Sequence, residues 1–123
     1  MNADELKIRT KDFALRVLKL VSELPKTVEG RAIANQIVRS GTSIAANYRA
    51  TCRARSRMEF VAKIGIVLEE ADETLLWLEL IVSAKLLPQR RVGPLLKEAN
   101  ELVAIMAASR KSALTRTSLK SEI

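Results

Sequence analysis

The feature that most constrains the fold is a periodic run of apolar residues in the middle of the chain. Seven apolar residues follow one another there at steps of three or four: Phe60, Ile64, Val67, Ala71, Leu75, Leu78 and Val82. Such steps place side chains along one face of an α-helix, whereas a β-strand requires alternation. The run therefore predicts one long helix, and its apolar face requires other helices to cover it.

Capping and helix-breaking residues set the limits of the first and third predicted helices. Ser56 followed by Glu59 matches a capping box, so helix 3 is predicted to begin at Ser56. Helix 1 is predicted from Asp4 to Leu24, because Pro25 disfavours a helical conformation in the residue before it. The two helices leave a segment of chain between them that must also be assigned.

Helix 2 occupies that segment and is predicted to begin near Glu29. Small residues surround Gly41 in the middle of this helix. A helical glycine costs on the order of 1 kcal/mol relative to alanine. We therefore expect Gly41 to permit the close approach of another helix.

Helix 4 is predicted to begin at either Pro88 or Pro94, because proline is favoured in the first turn of a helix. Four helices with short connections predict an all-α fold, an antiparallel up-down-up-down four-helix bundle. Residues 1–112 are predicted to form this single domain. Residues 113–123 are predicted to form a polar, basic and disordered tail.

The residue types argue against several classes of function. The chain has one cysteine and no histidine, so it cannot form an internal disulfide and lacks the residue that most often serves as a general base. It shows no recognisable catalytic constellation, and we expect neither an enzyme nor a bound cofactor. No apolar stretch approaches the roughly 20 residues that span a bilayer. A cytoplasmic protein without a membrane partner is therefore expected.

The net charge of +7 is distributed unevenly along the chain. Residues 30–68 contain seven basic residues and one acidic residue, whereas residues 69–84 contain five acidic residues and no basic residue. A basic segment of this kind is compatible with binding to a polyanion. The alternative is that the basic and acidic segments pair with each other within the fold or within an oligomer.

The acidic segment of helix 3 allows two interpretations. A carboxylate-only Mg²⁺ or Ca²⁺ site is conceivable, but di-iron sites in bundles also need histidines, which are absent here. We therefore predict no metal and expect ion pairs and oligomer contacts instead. The residues predicted for this role are Arg39, Glu69, Asp72, Glu73 and Trp77. Arg49 and Arg53 are alternative partners for these acids.

The basic segment contains four closely spaced arginines, namely Arg49, Arg53, Arg55 and Arg57. Guanidinium groups bind phosphate through paired hydrogen bonds, so these residues predict a nucleic-acid-binding surface. Tyr48, directly before Arg49, is the one aromatic residue here that is a candidate for base stacking. Contact with the RNA or DNA backbone is therefore expected to dominate. If Arg49 and Arg53 faced the acids of helix 3, this interpretation would lose most of its support.

Two short motifs carry a resemblance to a known family. They are SIAAN at residues 43–47 and RS-x-x-EF at residues 55–60, preceded by Gln36 and Arg39. Over roughly residues 5–112 the chain resembles small bacterial four-helix-bundle proteins that were first noticed as reading frames in intervening sequences of 23S ribosomal RNA genes. The accessory protein of diversity-generating retroelements looks like a relative.

This resemblance implies a homopentameric ring without known catalysis and a role in nucleic-acid binding, in the retroelement branch as the partner of a reverse transcriptase. Many members carry glycines between the two motifs, where this chain has Ala50, Thr51 and Arg53. Helix 2 is therefore predicted to continue to about Ala54. The predicted function is that of a nucleic-acid-binding or accessory protein. The alternative is a structural or interaction module whose charges serve assembly only.

Overall fold

The structure is a computed structural model, which describes residues 1–122, with side chains described as far as residue 116. The described residues form four α-helices and no strand: α1 (Ala3–Val21), α2 (Val28–Cys52), α3 (Arg57–Ser83) and α4 (Gln89–Glu122). The predicted all-α fold is therefore confirmed. None of these helices is long and apolar enough, within the described residues, to cross a membrane.

The helices pack in chain order, α1 on α2, α2 on α3 and α3 on α4, while contacts between α1 and α4 are sparse. Three ion pairs cross this sparse seam among the described residues, including one from Arg9 to Glu101 at 3.6 Å. Arg9 near the start of α1 reaches Glu98 in α4, and Glu23 just after α1 reaches Arg91 near the start of α4. The first and last helices therefore run antiparallel, as an up-down-up-down bundle requires.

The predicted start of α3 agrees with the structure, because the Ser56 hydroxyl accepts a hydrogen bond from the Glu59 backbone N–H at 3.0 Å. A complete capping box occurs instead at α1, where Asn2 and Glu5 bond each other's backbone N–H groups at 2.8 and 3.3 Å. The polar side chain of Asn2 therefore caps the first helix two residues before the predicted start at Asp4.

Two helices end earlier than predicted. Helix α1 ends at Val21 and not at Leu24, because the chain tightens into bonds between residues three apart, with the Leu24 N–H donating to the Val21 carbonyl at 3.1 Å. Helix α2 ends at Cys52, and the Ala54 N–H donates to the Thr51 carbonyl at 3.1 Å. In both cases a tight turn begins before the residue that the sequence suggested.

Helix α4 begins at Gln89, directly after Pro88, so Pro88 is the correct choice between the two predicted starts. Pro94 lies inside the helix. Beyond residue 112, where the domain was predicted to end, α4 continues to Glu122, and Ala113 is buried. The division of the chain into a domain and a disordered tail remains a prediction, and the side chains of residues 117–123 lie outside the described part.

The core lies along the apolar face of α3. Ile64, Val67, Ala71 and Leu78 are fully buried, and the other members of the predicted run are partly buried against the same cluster. A Cβ atom at Gly41 would lie 3.0–3.3 Å from the Val17 side chain, so α1 and α2 cross closely at the predicted place.

Candidate nucleic-acid interface

Arg39 in the middle of α2 lies against the acidic segment of α3. Its Nη2 atom donates to both carboxylate oxygens of Glu73, at 2.8 and 3.0 Å, and its Nη1 atom lies 3.8 Å from Glu70. Of the residues predicted to form ion pairs, the structure therefore brings together Arg39 and Glu73. This arginine is committed to an acidic partner and is a poor candidate for binding phosphate.

Glu69 and Asp72, the other predicted acids, are not part of this contact, and neither forms an ion pair within 4 Å among the described residues. Glu70 takes the inner position because it lies three residues before Glu73 on the face turned toward α2. Burial raises the pKa of Glu70 despite the opposing charge of Arg39, and its Oε2 atom is buried without a hydrogen bond from any described residue. The described residues contain no cluster of three or more His, Cys, Asp or Glu side chains that could hold a metal ion.

Trp77 lies further along α3 and is half-buried against the core of its own bundle. Its Nε1 atom is buried and has no hydrogen-bond partner in the part of the chain that the structure describes. Other large apolar side chains of α3 face outward. They include Ile66, Leu76 and Leu80, with exposed fractions of 44%, 48% and 38%. The role predicted for Trp77 in an oligomer remains a prediction.

The four arginines of the predicted patch lie at one end of the bundle, where α2 ends and α3 begins. Arg49 lies in the last turn of α2, Arg53 is its C-cap residue, Arg55 lies in the connection, and Arg57 is the first residue of α3. Among the described residues, none of the four forms an ion pair within 4 Å. They do not turn to the acids of α3 as Arg39 does.

The break between the helices divides the patch into two grooves. Arg53 and Arg55 line a groove of about 330 Å³ together with Lys63 and a single acid, Glu59. Arg57 points to another side, into a groove of about 560 Å³ between α3 and α4. Neither groove is lined by Arg49. The continuous ridge that a straight helix would give to Arg49, Arg53 and Arg57 is therefore absent.

These arginines differ in how their charge interacts with the helix dipole and so in their effect on helix stability. Arg49 and Arg53 lie at the negative end of α2, where an exposed cation stabilises a helix by about 0.3–1 kcal/mol. Arg57 lies at the positive end of α3, where the same effect is unfavourable. The stability of the helices can account for Arg49 and Arg53, but not for Arg57.

Tyr48, the aromatic residue considered for base stacking, is only 6% exposed. Burial also raises the pKa of its hydroxyl, as does the neighbouring Cys52. It is therefore a core residue and offers no ring face to a base. Phe60, at the start of α3, is the aromatic residue that borders a groove at this end of the molecule.

Sequence reasoning missed the contribution of α4 to this end of the bundle. Arg116 lines the same groove as Arg57, and the Nε atom of Arg110 lies 3.5 Å from the position of a Cβ atom on Gly65 in α3. The apolar pattern fades near Ala108, which hid the fact that the helix continues alongside α3. The signal available in the sequence was Arg116, a basic residue within residues 113–123, which were predicted to be a disordered tail.

Sequence reasoning also missed the ion pairs between α1 and α4. Arg9 donates to both oxygens of Glu98 at 2.7 Å, and this bond holds the pKa of the Glu98 carboxyl below its usual range. Arg91 likewise lowers the pKa of Glu23. Both pairs join residues far apart in sequence, so only the relative placement of the helices reveals them.

Comparison with known proteins places this arrangement in a family. The model of the family described as 23S rRNA-intervening sequence protein matches residues 5–108. The chain is 32% identical to a protein of unknown function from the S23 ribosomal protein family of Bacteroides thetaiotaomicron VPI-5482, known from a crystal structure. The similarity covers 90% of this chain and 99% of that chain, with a TM-score of 0.82. A search of curated proteins finds no significant match.

Proposed function

We propose, for a chain that belongs to the family of 23S rRNA-intervening sequence proteins, a non-enzymatic role in contacting the backbone of RNA or DNA. The family membership confirms the resemblance found in the SIAAN and RS-x-x-EF motifs. The observation that carries the proposal is the cluster of arginines without ionic partners, among the described residues, where α2 meets α3. A cytoplasmic location goes with this role.

The contrast with Arg39 supports this proposal. Arg39 lies opposite the acidic segment of α3 and pairs with Glu73, whereas Arg49, Arg53 and Arg55 lie beyond that segment and remain unpaired among the described residues. Unpaired guanidinium groups clustered on one surface attract polyanions and hydrogen-bond to phosphate oxygens. The groove of Arg53 and Arg55 has no aromatic lining among the described residues, so the contacts proposed there are to phosphate and not to base edges.

Fluorescence anisotropy with a labelled oligonucleotide tests this role. The substitutions Arg49→Ala, Arg53→Ala and Arg55→Ala together should weaken binding and reduce the dependence of affinity on salt, by about one unit of slope for each phosphate that is no longer neutralised. The matched control removes three cations from the opposite end of the bundle, with Lys26→Ala, Arg31→Ala and Arg90→Ala. Equal losses in both triple variants would contradict a localised surface, and absence of binding to the wild-type protein at low salt would contradict the role itself.

A second candidate function is assembly without nucleic acid. The apolar residues Ile66, Leu76 and Leu80 face outward on α3 and would be covered in an oligomer. Together with the resemblance, they support a homo-oligomer, which the resemblance implies is a pentamer. The likeness to the accessory protein of retroelements makes a reverse transcriptase or another nucleic-acid enzyme a candidate partner.

Light scattering tests the assembly. The substitutions Leu76→Glu and Leu80→Glu should reduce the measured mass to that of one chain, because they place charges in the covered surface. A wild-type protein that is monomeric at micromolar concentration would contradict the oligomer. If the wild-type oligomer forms but binds no nucleic acid, assembly is the better supported of the two functions.

A further inference from the structure

The groove between the start of α3 and the distal part of α4 has the size and lining of a nucleotide site. Its volume is about 560 Å³, within the range of small-molecule sites. Both helices contribute to its lining: Arg57, Phe60, Ala108, Ser109, Ser112, Ala113 and Arg116. It therefore combines cations, hydroxyl groups and one aromatic ring.

The polar groups of this groove are not used by the fold. Arg57 and Arg116 form no ion pair within 4 Å among the described residues, and the hydroxyl groups of Ser109 and Ser112 form no hydrogen bond there. Two guanidinium groups that line one groove repel each other, and an anion between them removes this repulsion. The charge of the groove therefore favours a phosphate group.

Phe60 distinguishes this groove from a simple phosphate site. The side chain is half-buried and lines the groove. An aromatic face beside cationic groups is the arrangement that proteins use to bind single-stranded nucleic acids, because a base stacks on the ring while arginines hold the backbone. An acidic peptide would satisfy the arginines but would leave the ring without a partner of its own.

The groove also adjoins the surface proposed above. Arg55 and Arg57 are separated by Ser56 alone, so their Cα atoms lie at most about 7.6 Å apart, and the two grooves flank the same helix start. A base in a duplex is stacked on its neighbours and paired, and it is not available to Phe60. The second groove thus selects for unpaired nucleotides.

We propose that this groove binds one unpaired nucleotide of a single strand, with its base against Phe60 and its phosphate between Arg57 and Arg116. The inference rests on the proposed function and adds a preference for single strands over duplexes. The residues that select single strands, Arg57, Phe60 and Arg116, lie outside the groove of Arg53 and Arg55.

The test compares a single-stranded RNA with the duplex of the same sequence in anisotropy titrations. Ala108→Leu places a larger side chain in the groove from an exposed position on α4, and Ala107→Leu adds the same side chain at the neighbouring exposed position outside the groove. Ala108→Leu should weaken binding of the single strand about five- to tenfold. Binding of the duplex, and all binding by Ala107→Leu, should remain unchanged.

Phe60→Leu keeps the apolar contact with the core and removes the ring, so it should reproduce the loss of Ala108→Leu. In addition, a single strand carrying 5-iodouridine should cross-link under ultraviolet light to the tryptic peptide 58–63, which contains Phe60. Circular dichroism confirms that each variant is folded before it is titrated. The cross-link gives a readout on the wild-type protein even if Phe60→Leu fails to fold.

Three results would overturn the inference. Equal losses for single strand and duplex would mean that the groove does not select unpaired bases. Unchanged affinity in Ala108→Leu with no cross-link at Phe60 would mean that the groove is not used. A wild-type protein that binds neither nucleic acid overturns the proposed function and this inference together.

Discussion

Two regions of α2 and of its connection to α3 carry arginines that differ in whether they have an ionic partner among the described residues. In the middle of α2, Arg39 lies opposite Glu73 and Glu70 and binds them. Further along, where α2 ends, Arg49 and Arg53 extend past the acidic stretch of α3 and have no ionic partner among the described residues. Residue type is the same in both regions, so position along the bundle decides whether a guanidinium pairs with an acid of α3 or remains without an ionic partner among the described residues.

Charge reversal in each region gives the largest expected difference. Arg53→Glu with Arg55→Glu should weaken binding of an oligonucleotide at low salt by about ten- to a hundredfold, because attraction to phosphate becomes repulsion. Arg39→Glu should change this affinity by less than about threefold and should instead lower stability, since it faces Glu73. Anisotropy measures the first effect and urea unfolding the second. Similar losses of affinity in the two variants would remove the distinction between the regions.

Arg9 of α1 is another paired arginine, and its partner is Glu98 of α4. Arg9→Met should lower the free energy of unfolding by about 2 kcal/mol, because Glu98, 14% exposed, loses both hydrogen bonds. Arg53→Met, which breaks no ion pair among the described residues, should lower it by at most about 1 kcal/mol, the contribution of a cation at the end of a helix. Urea titration measures both values at neutral pH.

The pH dependence of that difference provides the control. The pKa of Glu98 is lower in the folded protein than its ordinary value of 4.5, mainly because Arg9 donates hydrogen bonds to the carboxylate. The contribution of the pair is therefore present above pH 4.5 and is lost as the pH falls through the lowered pKa of the folded state. Wild type and Arg9→Met should converge in acid, and a constant difference would show that the substitution acts through packing alone.

A smaller loss is expected at Arg39, whose side chain is 56% exposed. Arg39→Met should lower the free energy of unfolding by about 0.5–1 kcal/mol, because water screens an exposed pair and the long side chains lose freedom when they pair. High salt should reduce the difference from wild type. A loss as large as that of Arg9→Met would contradict the ordering by burial.

The smallest effect is expected at Glu70, where a substitution should raise the free energy of unfolding and not lower it. Burial raises the pKa of Glu70, so its ionisation costs stability as the pH rises through that value. Glu70→Gln should therefore raise the free energy of unfolding by a few tenths of a kcal/mol near neutral pH, and the two proteins should become equal below pH 4.5, the ordinary value for this group. Thermal unfolding across a pH series measures this, and a stability loss comparable to that of Glu73→Gln would contradict it.

The helices were predictable because their signals are local. The spacing of Phe60, Ile64 and Val67 and the cap at Ser56 depend on residues close in sequence, and both agree with the structure. The end of α1 was misplaced because Pro25 limits where a helix can continue but does not prevent an earlier turn.

The candidate site was less predictable because it depends on rotation and register between helices. A rotation of about 100° per residue separates Glu69 from Glu70, and only the placement of α2 decides which of them meets Arg39. The groove of Arg57 and Arg116 needs α4 to run beside α3 well past its apolar pattern. Phe60 was visible as a core residue, but its partial exposure to a groove was not.

The sparse seam between α1 and α4 bears on how the molecule opens. Helix α1 packs closely on α2 alone, and on its other side three ion pairs among the described residues bridge to α4. A helix held on one side can detach as a unit while the remaining three stay packed, so its amide protons should exchange with solvent before those of α3. Detachment would bare Phe13, Val17 and Leu20, the face by which one chain could exchange its first helix with another.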